Sequence, residues 1–132
     1  MSHIFDKTMG ALNRSIDLRL NRQNIINSNI ANAETPGYKA KVVDFEDALA
    51  KAIATDERFA KTNPGAISDQ IGAVKPDVYD NPNINITNDG NTVDMEKEMA
   101  ALAENTVLYK AAVQLINKKL AQMKYAVTEG GR

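Results

Sequence analysis

The amino-acid sequence predicts a mainly α protein in which two long terminal helices pack as a coiled-coil-like hairpin, with a short third helix and a long irregular middle segment. Three observations predict it: an apolar repeat of helical period near the N-terminus, a longer heptad repeat near the C-terminus, and turn signals concentrated between them. The corresponding divisions are residues 1–33 (N-terminal helix), 34–93 (a corner, a short helix and an extended loop region) and 94–132 (C-terminal heptad helix).

The composition fits packed helices and argues against several classes of protein. The chain has 132 residues, of which 43% are hydrophobic but only 5% are aromatic, and its formal net charge is −1. A nucleic-acid-binding protein would need clustered basic residues, so we expect no nucleic-acid partner. The absence of cysteine excludes disulfides and thiolate chemistry. No apolar run is long enough to span a bilayer, and residues 1–7 lack the basic and apolar regions of a cleavable secretory signal.

Residues 3–33 are predicted to form the first long helix. Apolar residues return there at intervals of three and four, which places them on one helical face. The repeat is interrupted at Arg19 and Gln23, so this helix alone would be marginally stable. The part of the predicted helix seam that lies on this helix consists of Met9, Leu12, Ile16, Ile26 and Ile30.

The stretch of residues 29–38 ends this helix and forms a corner. Pro36 removes a backbone donor and disfavours the α conformation at Thr35, while Gly37 permits a positive φ. An ordinary helix end followed by a Pro-Gly turn explains this pattern as well as a contact site does. On the contact hypothesis the residues that set the corner and its register against neighbouring subunits are Asn29, Asn32, Thr35, Pro36, Gly37 and Tyr38.

The middle segment is predicted to contain one short helix and a long connection. Asp44 is the expected N-cap, and Phe45, Leu49 and Ile53 form the apolar face. Between residues 61 and 91 four turn signals follow one another, and alternation at residues 83–87 supports a short strand at most. A loop this long favours a surface that partners order.

The last helix carries the clearest repeat. Its spacings alternate between four and three without interruption, Asp94 is a plausible N-cap, and residues 95–128 would span about 50 Å. Either a helical hairpin within a bundle or an interaction rod satisfies this repeat. Further apolar residues lie off the repeat, and neighbouring copies are the simplest cover for them. The hydrophobic seam positions are Met95, Met99, Leu102, Tyr109, Val113, Ile116, Leu120, Met123 and Val127.

Convergent reactive groups are missing from the sequence, so we predict no catalytic, cofactor or metal site. The single histidine, His3, lies near the chain terminus, where simple exposure is the favoured interpretation. Glu96 and Glu98 fit the favoured charge of a first helical turn, and residues 88–91 fit a turn better than a calcium loop.

Two segments together resemble one known family. The corner, read as Asn-Ile-Ala-Asn-Ala-Glu-Thr-Pro-Gly-Tyr at residues 29–38, resembles the signature that ends the N-terminal helix of bacterial flagellar axial proteins, apart from Glu34, where Asn or Asp is common. Residues 89–99 and 103–106 resemble the start of the C-terminal helix in the short proximal members. The small size also resembles the basal-body rod proteins at the base of the rod, in the axial rod and hook family.

This resemblance implies a structural subunit of the proximal rod of the flagellar basal body. Such proteins are exported by the flagellar type III apparatus without a cleaved signal, and they polymerise into a helical tube while they fold. The implied partners are copies of the chain, other rod proteins, the adaptor between rod and membrane ring, and the export gate. The implied location is the periplasmic rod. The competing interpretation is a soluble coiled-coil adaptor that binds a partner helix without polymerising.

Overall fold

A computed structural model describes residues 2–62, 70–82 and 86–129. The chain is mainly helical, as predicted, with α1 (Ser2–Ala31), β1 (Lys41–Asp44), α2 (Glu46–Thr62), β2 (Asp77–Asp80) and α3 (Met95–Glu129). At 1.5 Å per residue, the 30 residues of α1 span about 45 Å and the 35 residues of α3 about 52 Å. The two terminal helices therefore determine the length of the molecule.

The terminal helices pack against each other in antiparallel directions. Near the end of α1, Asn29 donates a hydrogen bond to Glu98 of α3, whereas Asn105, further along α3, donates to the backbone carbonyl of Arg19. The α3 residues buried most deeply are Glu98, Asn105 and Ala112, seven residues apart. The face of α3 that packs against α1 is thus centred on small and polar residues, which lie beside the predicted apolar repeat. Coiled-coil-like packing of the two helices remains a prediction.

A two-stranded antiparallel sheet connects the middle segment to α1. Lys41 pairs with Asp80, and the register continues to Asp44 opposite Asp77. The sequence predicts no strand at these positions. On the other edge of β1, the side chain of Asn29 bonds both backbone groups of Lys41, and Arg22 bonds the Val43 carbonyl. Side chains of α1 therefore take the place of a third strand.

The helix α2 begins at Glu46, one residue later than a cap at Asp44 predicts. Asp44 is the last residue of β1, so the prediction that it caps α2 is wrong. Phe45 holds the cap position instead, because its carbonyl accepts the first helical hydrogen bond, from the amide of Leu49, at 2.9 Å. Pairing of the chain with β2 up to Asp44 is the physical reason for the shift.

The core is small and lies where α1, β1 and α2 meet. It contains Leu18, Val43, Phe45 and Val74, and Leu49 of α2 packs against it. The guanidinium of Arg22 lies 4.6 Å from the centroid of the Phe45 ring, within the range of a cation–π interaction. The predicted apolar face of α2 thus packs inward, with Ile53 half-buried.

Some predictions fall outside the described residues. These are part of the turn-rich connection between residues 61 and 91 and part of the alternating stretch 83–87, since residues 63–69 and 83–85 are not described. Within the residues that the structure does describe, none of the helices combines the length and the apolar character needed to cross a membrane.

Candidate functional site

The predicted corner is a tight turn at the end of α1. The amide of Tyr38 donates to the carbonyl of Thr35 at 3.3 Å, Pro36 takes the second position, and Gly37 has φ of +71°. This is the pattern of a type II turn, which requires positive φ at its third residue. The Pro-Gly pair therefore acts through backbone geometry.

Asn29 is fully buried and fixes the chain after the turn. Its Nδ2 donates to the carbonyl of Lys41 at 2.8 Å and to Glu98 Oε1 at 3.0 Å, and its Oδ1 accepts the amide of Lys41 at 3.0 Å. The Tyr38 hydroxyl donates to the same Oδ1 at 3.3 Å. One amide side chain thus joins α1, β1 and α3, as its use of both donor and acceptor permits.

Asn32 is half-buried and works locally. Its Nδ2 donates to the carbonyl of Ser28 at 2.8 Å, and its Oδ1 accepts the hydroxyl of Thr35 at 3.2 Å. The amide of Thr35 bonds the Asn32 carbonyl at 3.0 Å. This residue therefore shapes the helix end, whereas Asn29 connects different elements.

Asn91, whose role no sequence pattern predicts, bonds the turn that follows α1 from a distant part of the chain. It is 1% exposed, and its Nδ2 lies 2.9 Å from the carbonyls of Asn32 and Ala33 and 2.7 Å from that of Thr35. Its Oδ1 accepts the amide of Val93 at 2.8 Å. The carbonyls at a helix end need such donors. The sequence predicts only a turn at residues 88–91. The carbonyls at the end of α1 need a hydrogen-bond donor, and that need is the one signal that could have indicated the role of Asn91.

Two glycine turns pack against each other at the corner. The amide of Gly37 donates to the carbonyl of Asp89 at 3.0 Å, and Gly90, with φ of +81°, lies so close that an added Cβ would be 3.6 Å from the Gly37 Cα. The Tyr38 carbonyl then accepts the amide of Thr92 at 3.0 Å. The segment before α3 is therefore joined to the segment after α1 by backbone contacts.

Burial and hydrogen bonds shift the pKa values of two glutamates, Glu98 and Glu46. Burial raises the pKa of Glu98, and the hydrogen bond from Asn29 opposes the rise only in part. At Glu46 burial also acts to raise the pKa, but the hydrogen bonds from Arg22, at 2.6 and 2.7 Å, lower it below the ordinary value. The Arg22–Glu46 pair therefore ties α1 to α2, while burial disfavours the charged form of Glu98.

The expected N-cap of α3 is confirmed. The amide of Lys97 donates to Asp94 Oδ1 at 3.3 Å, and the amide of Glu98 bonds the Asp94 carbonyl at 2.9 Å. The backbone hydrogen bond from Lys97 lowers the pKa of the Asp94 carboxyl. The helix thus starts directly after the segment that carries Asn91.

The predicted helix seam is divided between covered and exposed positions. On α1, Ile26 is buried, while the other four members, Met9, Leu12, Ile16 and Ile30, are half-buried. The half-buried α3 members are Leu102, Tyr109, Val113 and Ile116, and the exposed ones are Met95, Met99, Leu120, Met123 and Val127. A role for these positions in contacts between subunits remains a prediction.

The hydrogen bonds described above fix the shape of the corner and hold neighbouring elements in contact. Within the described ranges, no group of three or more His, Cys, Asp or Glu side chains could hold a metal ion. The buried polar groups at the corner, including Asn29 and Asn91, are used in hydrogen bonds between elements.

Comparison with known proteins gives one consistent family. A family model described as "Flagella basal body rod protein" matches residues 8–39, which include the whole corner. The chain is 33% identical over 129 residues to the "Flagellar basal body rod protein FlgB" of Aeromonas hydrophila, covering 96% of this chain and 97% of that protein. It is similar to the protein of the same name from Cereibacter sphaeroides (35% identity over 130 residues, 93% and 95% covered) and from Bacillus subtilis strain 168 (33% over 133 residues, 96% and 98% covered).

Proposed function

The chain belongs to the FlgB family of flagellar basal body rod proteins, and on this premise we propose that it forms the proximal part of the rod by folding as it assembles. It is a structural rod subunit of the flagellar basal body and serves motility, not catalysis. The adaptor alternative is not favoured, because the relatives matched along nearly their full length are rod proteins.

The observation that carries the proposal is the amount of surface that a single chain leaves uncovered. Its accessible surface is 9185 Å². A compact monomer of 14.4 kDa would expose only about 6,800 Å² by the usual scaling of surface with mass. Among the described residues, most of the exposed large apolar side chains lie on α3, and they include Met99, Val107, Leu115, Tyr125 and Val127. Copies of the chain and other rod proteins would bury this surface.

Folding during assembly follows from the same distribution of contacts. The hydrogen-bonded corner lies at one end of the hairpin and the core lies beside the middle of α1, whereas residues 121–129 are exposed throughout. A helix without a packed face gains too little to offset its conformational entropy. The ends of α1 and α3 would therefore become ordered when neighbouring subunits cover them.

The finer partners come from the family resemblance. As a proximal subunit the chain would contact the adaptor between rod and membrane ring as well as the export gate, and it would reach the periplasmic rod through the flagellar type III apparatus without a cleaved signal. The corner residues, Asn29, Asn32, Thr35, Pro36, Gly37 and Tyr38, would then set the register between α1 and the neighbouring subunits.

Labelled basal bodies test the proposed position directly. Cells that lack the gene and carry the chain with a small tag inserted after Thr62, the exposed last residue of α2, would be used to purify basal bodies for electron microscopy with a tag-specific label. We expect label at the base of the rod, and loss of swimming when the gene is absent. Label at the distal rod, or swimming cells without the gene, would contradict the proposal.

A further inference from the structure

The small sheet has one edge that no other element of the described chain covers. β1 pairs with β2 on one side, and side chains of α1 bond its other edge. β2 has β1 as its one neighbouring strand among the described residues, and all four of its residues are exposed. An exposed strand edge presents unpaired backbone groups, which are a template for pairing with another chain. This edge is therefore open to a third strand unless something closes it.

The register of the ladder shows which residues of β2 face the free edge. In an antiparallel pair, residues whose backbone groups bond the neighbouring strand alternate with residues whose backbone groups point away from it. The amide of Asn81 donates to the Ala40 carbonyl at 2.9 Å, so the odd-numbered residues of β2 face β1. The same alternation explains why both backbone groups of Lys41 bond α1. Val78 and Asp80 consequently present their backbone groups to the free edge.

Proline occupies the next position of this alternation at both ends of β2. Pro76 directly precedes the strand, and Pro82 follows Asn81. Both prolines are even-numbered, so the N–H that each lacks belongs to the free edge and not to the ladder with β1. A turn alone does not require the two prolines to share this parity. Their placement leaves the pairing of β1 with β2 intact and confines the donors of the free edge to Val78 and Asp80.

The prolines are placed to oppose pairing of this edge with the same edge of a second copy. Two β2 strands that met antiparallel about Tyr79 would bring Val78 opposite Asp80 of the second copy. Pro76 would then lie opposite Pro82 of the second copy. Each such outer pair would lack both amide hydrogens, so the facing carbonyls would gain no donors. Only the central pairs would form, and so short a pairing is weak.

We propose that Pro76 and Pro82 close the free edge of β2 to a second copy of the chain. The pair that they prevent is isologous, so it would close on itself and leave no edge for a third copy. A rod subunit needs heterologous contacts that continue from copy to copy, and an edge-paired dimer would withdraw subunits from assembly. This consequence rests on the proposed function, whereas the closed edge itself does not.

The test opens the edge and detects pairing at its centre. Pro76→Thr with Pro82→Thr, the open-edge variant, restores both amide hydrogens with a residue that suits a strand. The chain has no cysteine, so Tyr79→Cys reports on pairing without background. In edge-paired copies the two Tyr79 Cα atoms would be about 4.5 Å apart, a distance that a disulfide spans. Purified full-length chains would be oxidised with copper–phenanthroline over a range of concentrations and resolved on non-reducing gels.

We expect Tyr79→Cys to give disulfide dimers in the open-edge variant at a concentration at least about tenfold below that needed when both prolines are present, as a few added backbone hydrogen bonds would give. Thr55→Cys, at an exposed position on α2, is the matched control and should respond equally in both backgrounds. Equal dimers from Tyr79→Cys with and without the prolines, or the same gain at Thr55→Cys, would overturn the proposal while leaving the proposed function intact.

A third proline tests whether the dimers form at this edge. Val78→Pro, added to the open-edge variant, again removes a donor from the free edge but leaves the ladder with β1 intact, because the Val78 amide faces away from β1. The concentration at which Tyr79→Cys gives dimers should return to within about twofold of its value with both native prolines. Dimers that persist at the open-edge concentration would form elsewhere on the chain and would overturn the proposal.

Discussion

At the scale of single residues, two asparagine amides replace regular backbone hydrogen bonds. Asn29 bonds both backbone groups of Lys41 as a neighbouring strand would, and Asn91 supplies donors to carbonyls of the turn that follows α1. Both side chains are almost completely buried, so substitution leaves unsatisfied groups that water cannot reach. The corner is therefore sensitive to changes that hardly alter side-chain volume.

Asn91→Asp should open the corner locally. The substitution keeps the oxygen that accepts the Val93 amide but places a second oxygen against the carbonyls of Asn32, Ala33 and Thr35. Loss of these bonds costs about 2 kcal/mol, which corresponds to about thirtyfold faster hydrogen exchange of amides near residues 32–38. Mass spectrometry of that peptide measures it. Asn88→Asp makes the same chemical change at an exposed turn position, and equal exchange in both variants would contradict the role of Asn91.

Glu98→Gln should stabilise the isolated chain at neutral pH. Glutamine keeps an oxygen for Asn29 and removes the buried charge. Because the pKa of Glu98 is raised in the folded chain, its protonated form is favoured there, and wild-type stability falls as pH rises through that raised pKa. Glutamine does not ionise, so the variant does not lose stability in this way as pH rises. Its urea midpoint, followed by circular dichroism, should exceed wild type at pH 7 and converge with it below about pH 4.3, the ordinary glutamate pKa.

The exposed Glu96 provides the control for that measurement. Glu96→Gln removes a charge from the same helical turn without altering a buried group. A Glu98→Gln variant that is less stable than wild type at pH 7, or one whose advantage also appears in Glu96→Gln, would contradict the assigned effect of burial.

At the scale of elements, the sequence predicts helices well and the small sheet poorly. The repeats locate α1 and α3 within two residues of their observed ends because each continues for many turns. The strands have four residues each, and β1 is held partly by Arg22 and Asn29, which belong to a helix. Such contacts between distant parts of the chain leave no local pattern, and neither does the donor role of Asn91.

The face of α3 that meets α1 also differs from the strongest apolar repeat for a physical reason. Glu98 and Asn105 occupy its centre because each bonds a group on α1, so hydrogen bonding and hydrophobic burial share this contact. Leu102, Tyr109, Val113 and Ile116 flank it and are half-buried. Their remaining surface is available to neighbouring subunits, as the seam prediction requires.

Leu102→Asp and Ile116→Asp should each block assembly. Both side chains are half-buried in a single chain, and an unpaired carboxylate in a covered contact costs several kcal/mol. We expect cells with either variant to lack swimming motility and intact rods, as judged on soft agar and by microscopy of basal bodies. Leu102→Met and Ile116→Val keep apolar side chains at the same positions and should assemble. Motile cells with normal basal bodies carrying either aspartate would refute the seam.

At the scale of the whole molecule, buried contacts extend from the corner to the middle of α1 and become fewer beyond it. The hydrogen bonds of Asn29 and Asn91 lie at the corner and Leu18 of the core lies midway along α1, whereas towards the far end Asp56 and Ile71 are buried but residues 121–129 of α3 are exposed. Local opening is easiest where buried apolar contacts are few. The isolated chain should therefore be folded at the corner and open at both helix ends.

The measurement that tests this account most directly is hydrogen exchange of the purified monomer, combined with circular dichroism. Coupled folding and assembly predicts helicity well below that of the complete fold, protection of amides near residues 28–45 and 87–105, and nearly unprotected exchange at residues 8–12 and 117–129. A monomer with full helix content that melts cooperatively, and whose helix ends are protected as strongly as the corner, would contradict it.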